Sequence, residues 1–192
     1  MNAIQLKTAL LAFFRFKRQW TYINTEAGHF YADVLATNGK KLVEVEVKVT
    51  YNDISADFQK PKHDEYRSFT EKGANPVNKR TQWIPNEFYF AVPERLLDAL
   101  EYQLKEWPEY GIIVVNQNSW GMAEARIVRK AKLIHPNKPT NDLLNSMIKR
   151  MGSDLITLYQ KRELEGVMVN KMIKANRELI DSVSNKRILI RR

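Results

Sequence analysis

From Val43 to Val49 the chain reads Val-Glu-Val-Glu-Val-Lys-Val, a strict alternation of apolar and charged residues. A repeat of two belongs to a β-strand, whose successive side chains point to opposite faces. Val43, Val45, Val47 and Val49 therefore share one face, and Glu44, Glu46 and Lys48 share the other. An all-valine face has to be packed on a core, which fixes the orientation of the strand. Just upstream, Asn38-Gly39 is a two-residue hairpin turn, because both residues tolerate positive φ. The turn joins this strand to one expected over about His29 to Thr37, which carries Asp33. Asp33 can thus come alongside Glu46 and Lys48. Two carboxylates and an ammonium on rigid strands suit Mg²⁺, which prefers a few carboxylate oxygens and keeps its waters. The same residues also fit an exposed amphipathic hairpin whose Glu and Lys form cross-strand ion pairs of little energetic value.

The flanking sequence extends the pattern. Ile4 to about Arg18 predicts a helix packed on a core, and Trp20–Asn24 predicts a strand rich in β-branched and aromatic residues. Residues 53–72 are highly charged and predict an exposed, mostly helical segment interrupted at Pro61, followed by a loop over 73–86. Phe88–Val92 predicts a short buried strand ending at Pro93, and Glu94 to Trp107 predicts a helix with Glu94 in its first turn. Gly111–Val115 is a continuous apolar run, expected as a buried strand. Ala125–Ile134 predicts a last strand, and the chain is helical from Asn141 onward, with one long segment over about Ser153 to Val183. The natural packing of this order is a central mixed sheet flanked by helices, a mixed α/β fold.

Composition narrows the chemistry. The 192 residues are 44% hydrophobic and 28% charged, as in a soluble globular protein. No apolar run is long enough to span a bilayer, and the apolar stretch Ala9–Phe14 is followed by Arg15, Lys17 and Arg18 without a small-residue cleavage pattern. The expected setting is cytoplasmic, with no membrane partner. Zero cysteines exclude disulfides and thiolate-bound zinc. His29, His63 and His135 are too scattered for two to share a helical face. The net charge of +9 points to a polyanionic partner or to a solubilising surface. Residues 137–192 contribute disproportionately, with twice as many Lys/Arg as Asp/Glu.

Asp33, a hairpin, and then Glu46-Val47-Lys48 at the end of a valine-rich strand resemble the signature of the PD-(D/E)xK, or restriction-endonuclease-like, nuclease superfamily. The wider sequence is similar to a branch containing MmcB-like DNA repair proteins and related phage and bacterial nucleases. The similarity runs in order through Ala32-Asp33-Val34, Val43 to Thr50, and Asp53, Asp57-Phe58, Lys60, Lys62-His63 and Tyr66. It continues through Phe88 to Glu94, Tyr110 to Val115 and Ile127 to Ala131, covering most of residues 1–135. The first acid follows Ala32 where the signature has proline. Of the acids upstream, only Glu26 is a candidate for the one often found near the N-terminal helix.

The resemblance implies a restriction-endonuclease-like core over residues 1–136 and a basic, helical extension over 137–192. It implies a metal-dependent deoxyribonuclease, an endonuclease of DNA repair, recombination or phage DNA processing, or a non-catalytic nucleic-acid-binding protein that keeps the fold. Asp33 and Glu46 would hold Mg²⁺ or Mn²⁺ with the backbone carbonyl of Val47, and Glu26 would add a ligand or stand exposed at a strand end. Lys48 would orient or activate a water and stabilise charge on the phosphate. Glu44, one pleat away, would lie behind the site or face solvent. Lys60, Lys62, His63 and Tyr66 would meet DNA phosphates or form a solvated helix face, and the same alternatives hold for Arg126, Arg129, Lys130 and Lys132. Trp83 and Trp120 would stack on unpaired bases or cap the core. The apolar stripe of the long helix, from Leu155 to Ile180, would pack on the core or pair with a second copy. The tail Lys186–Arg192 reads as a phosphate-binding arm or a frayed end.

Overall fold

The computed structural model of the protein describes residues 1–28, 31–72 and 81–189. Helix α1 (Ala3–Ala12) starts at a capping box in which Asn2 and Gln5 exchange side-chain-to-backbone hydrogen bonds, and a π-helical turn, Phe13–Lys17, follows it. The strands are β1 (Tyr22–Asn24), β2 (Val34–Thr37), β3 (Leu42–Val47), β4 (Glu87–Pro93), β5 (Gly111–Gln117) and β6 (Ala123–Arg129). Between β3 and β4 lie α2 (Tyr51–Asp57) and α3 (Pro61–Lys72); α4 (Leu97–Gln103) links β4 to β5 with short 3-10 turns on either side. Helix α5 covers Asn141–Leu189.

The six strands form one mixed sheet in sequential order. β1, β2 and β3 are antiparallel, β3, β4 and β5 are parallel, and β6 returns antiparallel on β5. The parallel steps need long crossovers, which α2–α3 and α4 supply. This is the mixed α/β architecture expected from the order of elements. The valine face of β3 behaves as its alternation demands: Val43, Val45 and Val47 pack with Leu6, Leu10, Phe13 and Phe14 from α1 and the turn after it. The opposite face is also covered. Phe88, Phe90, Val92, Ile112 and Val114 meet Ile54, Tyr66, Leu100, Leu104 and Trp107, and a smaller cluster joins Leu35 and Leu42 to Leu143 and Met147 of α5. The hairpin is no exposed ribbon, because every residue of β3 is buried.

Two compact units result, Met1–Arg150 and Met151–Arg192. The first unit ends later than the boundary expected at 136, because Leu143 and Met147 belong to its core and the Asn24 amide donates to the Met147 carbonyl at 3.1 Å. In the second unit Leu155, Ile156, Leu158, Leu164, Val167, Met168, Met172 and Ile173 are exposed. His29, residues 73–80 of the expected loop, the side chains of Leu179 and Ile180 and those of the basic tail lie outside the described residues. Among the described residues no helix is long and apolar enough to cross a membrane.

Gly111 is a point where the sheet has no room. It stands beside Tyr89 in the parallel register, and a Cβ there would lie 2.3 Å from two Tyr89 ring carbons and 2.7 Å from the Ala131 amide nitrogen. Backbone cannot give way as a flexible side chain can. Gly111→Ala is therefore expected to lower stability by about 1–3 kcal/mol, read as a lower urea midpoint at unchanged m-value. An unchanged midpoint would show that the strand pair relaxes freely.

Candidate active site

Asp33 immediately precedes β2, whose first residue, Val34, lies opposite Val45 of β3. The Val47 amide donates to Asp33 Oδ2 at 2.8 Å, pinning the carboxylate to the end of β3. Lys48 follows directly, its own amide donating to the Ala91 carbonyl at 2.9 Å, so the parallel ladder to β4 orients this residue as well. Asp33, Glu46, Val47 and Lys48 line one open cleft of about 400 Å³, joined by Tyr31, Asp53, Asp57 and Lys60. The hairpin and the alternation thus bring together the three residues singled out in the sequence.

The cleft is backed by a buried ionic network. Lys48 contacts Asp57 and lies 3.2 Å from Glu46 Oε2; Lys60 reaches Asp57 at 3.2 Å and Glu46 at 3.6 Å from the exposed side. On the inner side Lys62 contacts Glu46 and lies 3.0 Å from Glu44, while the Tyr66 hydroxyl donates to Glu44 at 2.7 Å. His63 Nε2 is 3.2 Å from Asp57 Oδ1, and its Nδ1 shares a hydrogen bond with the Tyr110 hydroxyl at 3.0 Å. Near the cleft, Lys7 of α1 bridges Asp33, at 2.7 Å, and Glu26.

This network corrects several expectations. Residues 53–72 are exposed on one side only, at Asp53, Gln59, Lys60 and Asp64 among others; on the other side Lys62, His63 and Tyr66 are 1%, 0% and 1% exposed, so none of them can reach a DNA phosphate. Their charges and hydroxyl are spent inside, on Glu44, Glu46 and Asp57. Glu44 is buried as well and does not face solvent. Of that group only Lys60 stays half-exposed in the cleft. Arg129 donates to the Tyr110 and Trp107 carbonyls, tying β6 to the end of the α4 crossover, whereas Lys130 is exposed. Glu26 does not line the cleft; it is exposed and shares Lys7 with Asp33. Trp83 packs partly buried beside Leu35 and Leu42, and Trp120 is exposed in the β5–β6 hairpin.

Asp57, matched in the resemblance but given no role there, also lines the cleft, and helical spacing carried the signal. It lies three residues after the buried Ile54, on the same face of α2. Lys62 and His63 stand four and three residues before buried Tyr66, which turns them inward by the same rule.

The electrostatics follow from burial opposed by pairing. Desolvation pushes the Glu46 carboxyl up, but Lys62 and Lys48 outweigh it and hold it below its ordinary value against a counteracting Asp57. Asp57 is held far lower, its desolvation overcome by the His63 hydrogen bond and by Lys62 and Lys48. Burial would lower the Lys48 and Lys62 ammonium groups, yet their carboxylate neighbours raise both above the usual lysine range. For Glu46 and Asp57 the folded pKa lies below the unfolded one, so their contribution is complete above about pH 4 and is lost as the pH falls through the folded values. For Lys48 and Lys62 it lies above, so their contribution is complete below about pH 10 and is lost at higher pH. The urea midpoint is expected to be flat through neutrality and to fall steadily below about pH 4. Asp57→Asn should show a shallower acid slope; an unaltered slope would contradict the assignment.

Among the described residues no three His, Asp or Glu side chains converge as a ready-made metal cage. The donor set nevertheless fits a hard cation of the Mg²⁺ or Mn²⁺ type, which is held by one or two carboxylates and keeps its waters. Asp33 and Glu46 would supply those carboxylates, with Val47 on the same wall of the cleft. Their oxygens are now balanced by Lys7, Lys48, Lys60 and Lys62. In comparisons with known proteins, no family model, curated protein or solved structure matches the chain.

Proposed function

We propose that the protein is a metal-dependent nuclease of the PD-(D/E)xK type that hydrolyses DNA phosphodiester bonds, working in the cytoplasm in repair, recombination or phage DNA processing. The observation that carries this reading is the gathering of Asp33, Glu46 and Lys48 along one solvent-open cleft. Asp33 and Glu46 would hold Mg²⁺ or Mn²⁺, with the Val47 carbonyl as a further ligand. When bound, such an ion polarises the scissile phosphate and makes a coordinated water more acidic. Lys48, kept cationic by Asp57 and Glu46, stabilises charge developing on the phosphoryl oxygens. Lys60, half-exposed in the same cleft, gives the incoming phosphate its first cation. The exposed apolar side chains between Leu155 and Ile173 suit pairing with a second copy, and a dimer matches an enzyme that cuts two strands.

One observation favours a second reading, a DNA-binding protein that kept the fold without cutting. Asp33 and Glu46 are both already balanced by ammonium groups, and binding alone needs no metal. The two separate on incubation of the purified protein with single-stranded, duplex, flapped and four-way-junction DNA in Mg²⁺, Mn²⁺ or EDTA. Cleavage in either metal and none in EDTA is the expected result. Retention of DNA without cleavage in any metal would establish the second reading.

A further inference from the structure

The segment between β1 and β2 holds a large aromatic residue in the cleft under unusual constraint. Ala27 and Ala32 form an isolated antiparallel bridge, the Ala32 amide donating to the Ala27 carbonyl at 2.8 Å. Both alanines are buried in the cluster with Leu35, Leu42, Leu143 and Met147, so the base of the loop is anchored to the core. Tyr31 precedes Ala32 and stands two residues before Asp33. Its φ is +53°, in the left-handed region that bulky side chains avoid. The residue is 73% exposed and lines the same cleft as Asp33, Glu46 and Lys48. Neither core packing nor a backbone preference accounts for tyrosine at this position; Asn or Gly would suit the turn better. Trp83 is partly buried, and Trp120 sits on the β5–β6 hairpin, three strand positions along the sheet from β3.

We infer that Tyr31 is a nucleobase-stacking residue, which makes the preferred substrate a DNA strand with unpaired nucleotides at the cleft. The inference rests on the nuclease reading of this cleft and deepens it by naming the substrate class. A base inside a duplex is stacked on both faces and has none to offer. An unpaired base presents its π-face to an aromatic side chain while its phosphate meets a cation. Tyr31 supplies the ring and Lys60 the cation, from two different connections of the fold that line one cleft.

The test is fluorescence anisotropy of a labelled single-stranded oligonucleotide and its duplex, in EDTA, with wild type, Tyr31→Phe and Tyr31→Ala. Tyr31 is exposed, so both variants fold. Tyr31→Ala is expected to weaken single-strand binding about 5- to 100-fold, leaving duplex binding unchanged, while Tyr31→Phe keeps the wild-type affinity. Equal single-strand affinity for wild type and Tyr31→Ala overturns the inference, as does an equal loss on duplex. Binding in EDTA is independent of cutting. A protein that cleaves in Mg²⁺ yet ignores Tyr31→Ala refutes the stacking role alone. One that binds as expected but never cleaves refutes the nuclease reading alone.

Discussion

Replacing Lys62 by methionine is expected to destabilise the protein by about 3–5 kcal/mol, a large share of the total stability of a domain this size. The side chain is fully buried between Glu44 and Glu46, with the Phe88 ring 5.0 Å from its nitrogen. The volume of Met is close to that of Lys, so packing is nearly conserved. What is lost, among the described residues, is the only cation touching Glu44, and Glu46 is left with Lys48 and the half-exposed Lys60. Buried carboxylates without a partner are what make such a change costly. Adding Glu44→Gln to Lys62→Met should recover part of the loss, because Gln still accepts from the Tyr66 hydroxyl without carrying charge. Urea unfolding of the two single variants and the double variant gives the coupling directly. A loss below about 1 kcal/mol for Lys62→Met would mean that water reaches the pair and that it behaves as a surface ion pair.

The second large effect concerns chemistry rather than stability. Lys48 is a poor probe on its own, because it also neutralises Asp57 and Glu46 inside the fold. Asp33 is a cleaner one. Its side chain is partly exposed, and Asn in its place still accepts the Val47 amide proton through its carbonyl oxygen. Asp33→Asn therefore removes a charge with little change of shape. The expected result is a cleavage rate about two to three orders of magnitude lower, with DNA affinity in EDTA and the urea midpoint close to wild type. A large fall in the midpoint would instead make Asp33 a structural anchor for Lys7.

The parts of this arrangement legible in the sequence were those governed by local periodicity. The alternation from Val43 to Val49 set the two faces of β3, whereas the connection is not the two-residue turn expected at Asn38-Gly39: Thr37 pairs with Leu42, leaving residues 38–41 as a four-residue turn in which Gly39 takes the positive φ. The apolar runs at Phe88 and Gly111 read correctly as buried strands, because strands covered on both faces lose their polar alternation. What escaped was tertiary compensation. Asp57, Lys62 and His63 sit in a charged stretch, and charge reads as exposure unless the partners are known. Those partners, Glu44 and Glu46, come from β3, and the pairing exists only once the α2–α3 crossover lies on the sheet. Tyr31 escaped for another reason: it falls in the stretch from His29 to Thr37 read as one strand, whereas β2 starts only at Val34 and Tyr31 stands in a turn that leaves it facing solvent. The first unit reaches Arg150 through contacts of Leu143 and Met147 with the β1–β2 region, which join residues as far as 123 positions apart and leave no local pattern.

The proposed nuclease activity requires Asp33, Glu46 and Lys48 to act as one metal-dependent hydrolytic site. Single-turnover cleavage of end-labelled DNA in Mg²⁺, comparing wild type with Asp33→Asn at equal folded fraction, addresses it most directly. Wild type is expected to cleave, EDTA to abolish the cleavage, and Asp33→Asn nearly to eliminate it. Equal cleavage by both proteins, or none by wild type in Mg²⁺ or Mn²⁺, would contradict it.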